Sequence, residues 1–303
     1  MNKKILYLIN PISGTSEKGG IAKLIASETE AKGLAYLCMD TPAHGDFDLI
    51  RDKVLSEQFT TVVAVGGDGT VNQVTGALRD LPVHFGIIPC GSGNGLALSA
   101  GIPRKIEDSL ALIFDGEPRK TDAFLVNDRY ACMLSGVGFD AHVAHDFAAK
   151  ASRGLLTYTQ QSLLNFFRAQ PYQFEVILKD FTFFTDAFFI SIANSNQFGN
   201  NVTIAPHARL DDGLLDIVIV QKMNKAKLPF AVLRQVRGNN QLQEMVNAMT
   251  RKNVLYFQTD ALTIRNARLA PLHIDGEPAE TAPELKIQVL ESCFHLIRPG
   301  EPA

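Results

Sequence analysis

The sequence predicts an α/β protein whose first part is a doubly wound parallel sheet and whose second part is β-rich and mainly antiparallel. Three observations predict it. Strand-like apolar runs alternate with helix-period segments over the first third of the chain. From about residue 120 that alternation gives way to closely spaced strand-like runs. Glycine-rich turns follow several strands of the first part.

The elements follow in order. KILYLIN (4–10) reads as a buried strand, and IAKLIASETEAKG (21–33) sets Ile21, Leu24 and Ile25 at helical spacing before Gly33 stops it. Asp46 is placed to cap a helix running through Val54. TVVAVGG (61–67) is the next strand, VNQVTGALRD (71–80) a helix and VHFGIIP (83–89) a strand. IEDSLALIF (106–114) is a helix with Ile106, Leu110 and Ile113 on one face. Further on, FEVILKD, DAFFISIAN, LDIVIVQ, NVLYFQT and ALTIRN read as strands, with helices expected over 153–168 and 226–248.

Composition narrows the function. A chain of 303 residues is long enough for two domains, and 46% hydrophobic with 20% charged residues is ordinary for a soluble globular protein. A net charge of -3 gives no electrostatic case for a nucleic-acid partner. Four dispersed cysteines with no CxxC pair suit a reducing cytoplasm and argue against structural zinc. The opening MNKKILYLINP is too short in apolar residues for a secretory signal. FTFFTDAFFISIA (181–193) is interrupted by Asp186 and too short to cross a bilayer, so membrane work would be done from the surface. Most of its phenylalanines are expected in the core. The alternative, shared with LLTYTQQSLLNFFR (155–168), is an acyl-chain groove or a bilayer contact.

The glycine turns point to phosphate. A helix start after a strand offers unpaired N–H groups and partial positive charge, and glycines let a phosphate approach the backbone. Gly66, Gly67 and Gly69 give that access in GGDGTVNQV (66–74), with Thr70 able to cap or donate. Asp68 would repel a phosphate directly, so it reads as a metal orienter or proton acceptor at the edge of the site, or as a simple helix cap. IIPCGSGNGLA (87–97) repeats the arrangement through Gly91, Ser92, Gly93 and Asn94, and NPISG (10–14) follows the first strand. In a parallel sheet ligands bind at the carboxyl ends of the strands. There is no GxxxxGK[ST] and no GxGxxG after the first strand.

Together with TPAHGD (41–46), GVGFDA (136–141), IAPHARLDDGLLDI (204–217) and IDGEP (274–278), these motifs make the sequence resemble the diacylglycerol-kinase-type lipid kinases, which include bacterial lipid kinases and sphingosine kinases. The resemblance implies ATP between two domains. The first would be residues 1–120 joined by a returning segment at about 292–303, and the second 121–291. It implies nucleotide contacts from Asn10, Pro11, Ser13, Gly14, Thr41, Gly66 to Asn72 and Ser92. Magnesium would sit on Asp212 with the carbonyls of Arg209 and Leu214, and the base would be Glu277 with Asp275 beside it. GSGNGLA carries Gly95 where bacterial glycerolipid kinases have an acid, and so leans toward sphingosine-type kinases.

The acids also fit the chemistry by themselves. Phosphoryl transfer to a hydroxyl needs positioned phosphates, charge neutralisation and a proton acceptor. Asp68, Asp211, Asp212, Asp216, Asp275 and Glu277 are candidates, although DGE (275–277) and DDG (211–213) are equally the stuff of solvated turns. His44, His142, His145, His207, His273 and His295 show no ligand spacing. The expected reading is a cytoplasmic kinase, peripheral to the membrane, with a lipid acceptor and a homodimer left open. Its rivals are a kinase of a soluble acceptor such as NAD, a nucleotide-binding protein without catalysis, and a sugar kinase.

Overall fold

The structure is a computed structural model that describes residues 3–11, 18–42, 45–139, 170–197, 203–243 and 253–300. The helix expected over 153–168 lies outside them. The chain divides into two compact units, Met1–Asp122 with Glu291–Ala303, and Ala123–Leu290.

The first unit alternates β1 (Lys4–Ile9), α1 (Lys18–Ala31), β2 (Ala35–Asp40), α2 (Asp48–Ser56), β3 (Thr61–Gly66), α3 (Asp68–Leu78), β4 (His84–Pro89), α4 (Gly95–Ser99) and α5 (Ile106–Asp115). The strands pair in parallel in the order β2-β1-β3-β4. Both faces of the sheet are covered, which is why β1 and β3 read as unbroken apolar runs instead of alternating. Ile5 and Tyr7 pack with Ile25 of α1 and with Leu110 and Ile113 of α5. Leu6 and Leu8 point the other way by the strand's two-residue period and are buried too. A forked Arg51–Asp80 pair at 2.6 and 2.7 Å ties α2 to the turn after α3.

Two boundaries differ from the sequence expectation, and one strand is added to it. α3 begins at Asp68, not Val71, so the GDGT residues are its first turn. α2 begins at Asp48 with Phe47 as the capping residue; Asp46 accepts the Asp48 N–H at 3.0 Å from just outside the helix. β2 (AYLCMD) is a strand absent from the sequence expectation; its middle is half-buried and its ends are exposed.

The second unit contains β6 (Arg129–Ala131), β7 (Leu134–Gly138), β8 (Tyr172–Ile177), β9 (Thr182–Ala193), β10 (Leu215–Gln221), α6 (Leu228–Val236), β11 (Val254–Thr259), β12 (Ala261–Arg265), β13 (Leu272–Ile274) and β14 (Glu277–Ala279). β5 (Glu117–Val126) leads into it from the first unit. Its described pairings are antiparallel: β7 and β8 flank β9, β9 also pairs β10, β10 pairs β11, and β8 pairs β12. Ile190 and Ile192 of β9 and Ile217 and Ile219 of β10 feed one core cluster, while Phe189, Ala193, Val218 and Val220 feed a second on the opposite face. Phe188 is buried as well, whereas Phe184 is 73% exposed.

β15 (Glu284–Arg298) serves both units. Residues 284–288 pair antiparallel with β12, and residues 295–296 pair parallel with β4. α6 is shorter than the expected 226–248. It ends before Gly238, which takes φ +70°, and residues 244–248 lie outside the described set. Among the described residues no helix is long and apolar enough to cross a membrane.

Candidate functional site

Four turns of the first unit lie at the carboxyl ends of the parallel strands β1 to β4 and are tied to one another. Asn10, just past β1, donates its main-chain N–H to the Val65 carbonyl at 3.0 Å and its side-chain amide to the Thr70 hydroxyl at 2.8 Å. Thr41, just past β2, donates its N–H to the Ile9 carbonyl at 2.9 Å and is buried. Cys90 donates its N–H to the Gly66 carbonyl at 2.8 Å, which binds the third turn to the fourth.

The glycines here are required by contact. A Cβ on Gly91 would lie 2.5 Å from the Cα of Gly67 and 2.9 Å from the Asn94 amide oxygen. One on Gly66 would collide with the Thr70 side chain. Asn94 takes φ 54°, and its side chain closes the turn, its oxygen accepting the Gly91 N–H at 2.9 Å and its nitrogen donating to the Gly91 carbonyl at 2.7 Å. Asp68 reaches across from α3: its carboxylate accepts the Leu96 N–H at 3.4 Å, inside the first turn of α4. A negative group at that helix start is favourable. With Gly95 unable to supply an acid, Asp68 serves the helix start. Ser92 is exposed, and Asn72 and Pro11 flank the turns. Ser13, Gly14 and His44 lie outside the described residues.

In the second unit, the DGE segment forms a tight hairpin. Ile274 of β13 faces Glu277 of β14, and the two turn residues Asp275 and Gly276 take φ 48° and 84°, the left-handed pair such a two-residue hairpin needs. Asp275 is 4% exposed, and its carboxylate accepts main-chain N–H groups from Cys132 (2.9 Å), Met133 (2.9 Å) and Leu134 (3.0 Å). Its own N–H donates to the Leu134 carbonyl at 2.8 Å. Charge-assisted bonds of this kind satisfy a buried carboxylate and lock the turn. Of the two acids, Asp275 is therefore the clamp and Glu277 the exposed side chain directly after the turn. The segment is therefore not a turn of two solvated acids: Asp275 is buried and Glu277 is exposed.

The DDG loop is anchored differently. Asp212 and Asp211 are exposed; Asp212 accepts the Leu214 N–H at 3.1 Å around Gly213, which takes φ 71°. Arg209 pairs with Asp211 at 3.4 Å. Among the described residues no group of three or more His, Cys, Asp or Glu could hold a metal ion. A cation here would rely on the Asp212 carboxylate and main-chain carbonyls, an all-oxygen donor set of the kind magnesium takes.

Beneath that loop lies a buried cluster that sequence reading did not assemble. Asp216 on β10 accepts the Tyr256 phenol at 2.6 Å and the Gln258 amide at 3.0 Å. The phenol oxygen in turn accepts the main-chain N–H of His207 at 2.9 Å, and the two rings stack at 5.7 Å. Burial pushes the Asp216 carboxyl up to about 6, against the lowering effect of both hydrogen bonds. The signal was present: a lone acid in LDIVIVQ, and two polar residues two apart in NVLYFQT, the period that faces them the same way. His273 is buried in the hairpin, and His295 meets His84 at 6.0 Å.

Comparison with known proteins follows this division of the chain. The diacylglycerol kinase catalytic domain matches residues 4–126, and the YegS C-terminal NAD kinase beta sandwich-like domain matches residues 134–298. A Chromohalobacter salexigens protein described as "Probable lipid kinase YegS-like" is 31% identical over 72% of this chain and 69% of its own length. A Bacillus subtilis diacylglycerol kinase is 24% identical over 99% of this chain and 98% of its own length. The crystal structure of a Bacillus anthracis diacylglycerol kinase superposes with a TM-score of 0.74 at 17% identity, covering 98% of this chain and 97% of that one, a likeness of fold.

Proposed function

We propose a function from one premise: the chain belongs to the diacylglycerol kinase catalytic-domain family. Its members' names make it a family of kinases, and the chain is a phosphotransferase of that kind. Our reading is that it transfers the γ-phosphoryl group of ATP to a hydroxyl of a lipid.

The observation that carries this reading is the interlocked set of turns at the carboxyl ends of β1 to β4. Gly66, Gly67, Gly69, Gly91 and Gly93 place no side chain over these turns, which lets phosphate oxygens approach the backbone at the helix starts. Asn10 holds the Thr70 hydroxyl in a fixed place beside them. Asn94 contributes by closing its turn rather than by reaching a ligand.

In the transfer, the acceptor oxygen bonds to the γ-phosphorus as the bond to the bridging oxygen breaks and ADP leaves. Glu277 takes the acceptor's proton, and Asp275 holds the hairpin that presents it. Asp212, with the Arg209 and Leu214 carbonyls, would hold magnesium, which neutralises phosphate charge when bound. Gly95 leaves a sphingoid base beside diacylglycerol as the acceptor class.

The test is incubation with labelled ATP, magnesium and a total lipid extract, with NAD and sugars in parallel, followed by mass spectrometry. A phosphorylated lipid is expected. Phosphorylated NAD without any lipid product would move the chain to the soluble-acceptor class.

A further inference from the structure

α6 presents two unlike faces. Leu228, Ala231 and Gln235 face inward: Leu228 is fully buried in a core cluster that Ala231 packs against, and the Gln235 amide donates to the Ile204 carbonyl at 2.7 Å. The Asn240 side-chain amide donates to the Gln235 side-chain oxygen at 2.9 Å. These contacts fix the helix without help from its outer residues.

The outer residues are Phe230, Leu233, Arg234 and Arg237, spaced i, i+3, i+4 and i+7 along one stripe. Phe230 is 73% exposed and Leu233 44%. Neither is needed for the core, and single exposed leucines are ordinary, but a phenylalanine and a leucine one turn apart and flanked by arginines are not. The surrounding charge has one sign. Residues 217–243 contain Lys222, Lys225, Lys227, Arg234 and Arg237 and no Asp or Glu, in a chain whose net charge is -3. Asp186 of β9 pairs with Lys222 at 3.7 Å.

We propose that the outer face of α6, with the basic loop before it, is a docking surface for an anionic lipid bilayer. Its charge is complementary to anionic headgroups, and its ring and leucine are of a size to enter the headgroup boundary while the arginines stay at the phosphates. An acidic polymer would be held by the cations alone and would leave the apolar pair unexplained. The proposal deepens the lipid-kinase reading and rests on it for its purpose, since a water-soluble acceptor would need no such surface.

Flotation of the full chain with vesicles tests it. The chain is expected to bind phosphatidylcholine/phosphatidylserine vesicles, less at high salt, and to leave pure phosphatidylcholine vesicles largely unbound. Phe230→Ser/Leu233→Ser and Arg234→Glu/Arg237→Glu are each expected to weaken partitioning by roughly tenfold or more. All four positions are exposed, so melting temperature and turnover on detergent-dispersed lipid should stay at wild type. Equal binding to neutral and anionic vesicles overturns the proposal, as does wild-type partitioning by either double variant. Binding to heparin with no effect of the serine substitutions on vesicles also overturns it, in favour of an acidic polymer. If vesicle binding follows the expected pattern while no lipid is phosphorylated, the docking surface stands and the acceptor assignment fails.

Discussion

The Asp275 carboxylate accepts the main-chain N–H of Met133 at 2.9 Å, across 142 positions of sequence. With the main-chain N–H groups of Cys132 and Leu134, and the Cys132 thiol at 3.3 Å, it forms a cage of donors around one buried acid. Asp275→Asn puts an amide donor among N–H donors. A stability loss of roughly 2–4 kcal/mol in urea denaturation is expected, with a fall in turnover as the hairpin loosens. A variant as stable as wild type would show that the cage is dispensable.

Glu277→Gln should behave in the opposite way. The side chain is exposed on the hairpin, so stability should change by no more than about 0.5 kcal/mol. Turnover is expected to drop by about a hundredfold or more while ATP affinity is retained. Near-normal turnover refutes the proton-acceptor role.

Gly91→Ala tests the turn contact. The added methyl has the Gly67 Cα at 2.5 Å and backbone cannot yield as a flexible side chain does. A destabilisation of about 1–3 kcal/mol is expected, together with weaker ATP binding by calorimetry. Unchanged binding would separate this turn from the nucleotide.

Tyr256→Phe removes the phenol that Asp216 and the His207 N–H share. The buried carboxylate keeps only Gln258 among its named donors, and a loss of about 1–3 kcal/mol is expected. Because His207 leads into the DDG loop, magnesium affinity measured by calorimetry should weaken as well. Affinity equal to wild type would confine the cluster to folding.

Burial pushes the Cys293 thiol up to about 11, and the Cys38 and Cys90 thiols upward too. A thiol raised in the folded state adds stability that is complete below its unfolded value near 9 and is lost as pH rises through about 11. Native alkylation at Cys293, followed by peptide mass spectrometry, should therefore still be accelerating between pH 9 and 10. A plateau near pH 9 would contradict its burial.

The parallel strands were legible because burial on both faces makes them unbroken apolar runs, as in VVAV of β3. The glycine turns were legible because a close approach such as Gly67 to Gly91 admits no other residue. β2 was not: AYLCM is apolar, but so short an apolar run fits a strand or a buried helix segment equally, and only its pairing with β1 decides it. The different roles of Asp275 and Glu277 were hidden for another reason. They depend on Cys132 to Leu134, more than 140 positions away, and no local pattern records so distant a set of donors.

β15 adds a constraint on how the protein can be divided. The first unit takes in Glu291–Ala303 as well as Met1–Asp122, and β4 pairs with residues 295–296. A fragment cut at residue 122 would leave that edge of β4 bare, an open template for self-association. During synthesis the same edge waits until the whole of the intervening unit has left the ribosome. Dissection into separately expressed halves should therefore give an aggregation-prone amino-terminal piece, and a circular permutant that brings 291–298 next to residue 3 is the more promising route to an isolated first unit.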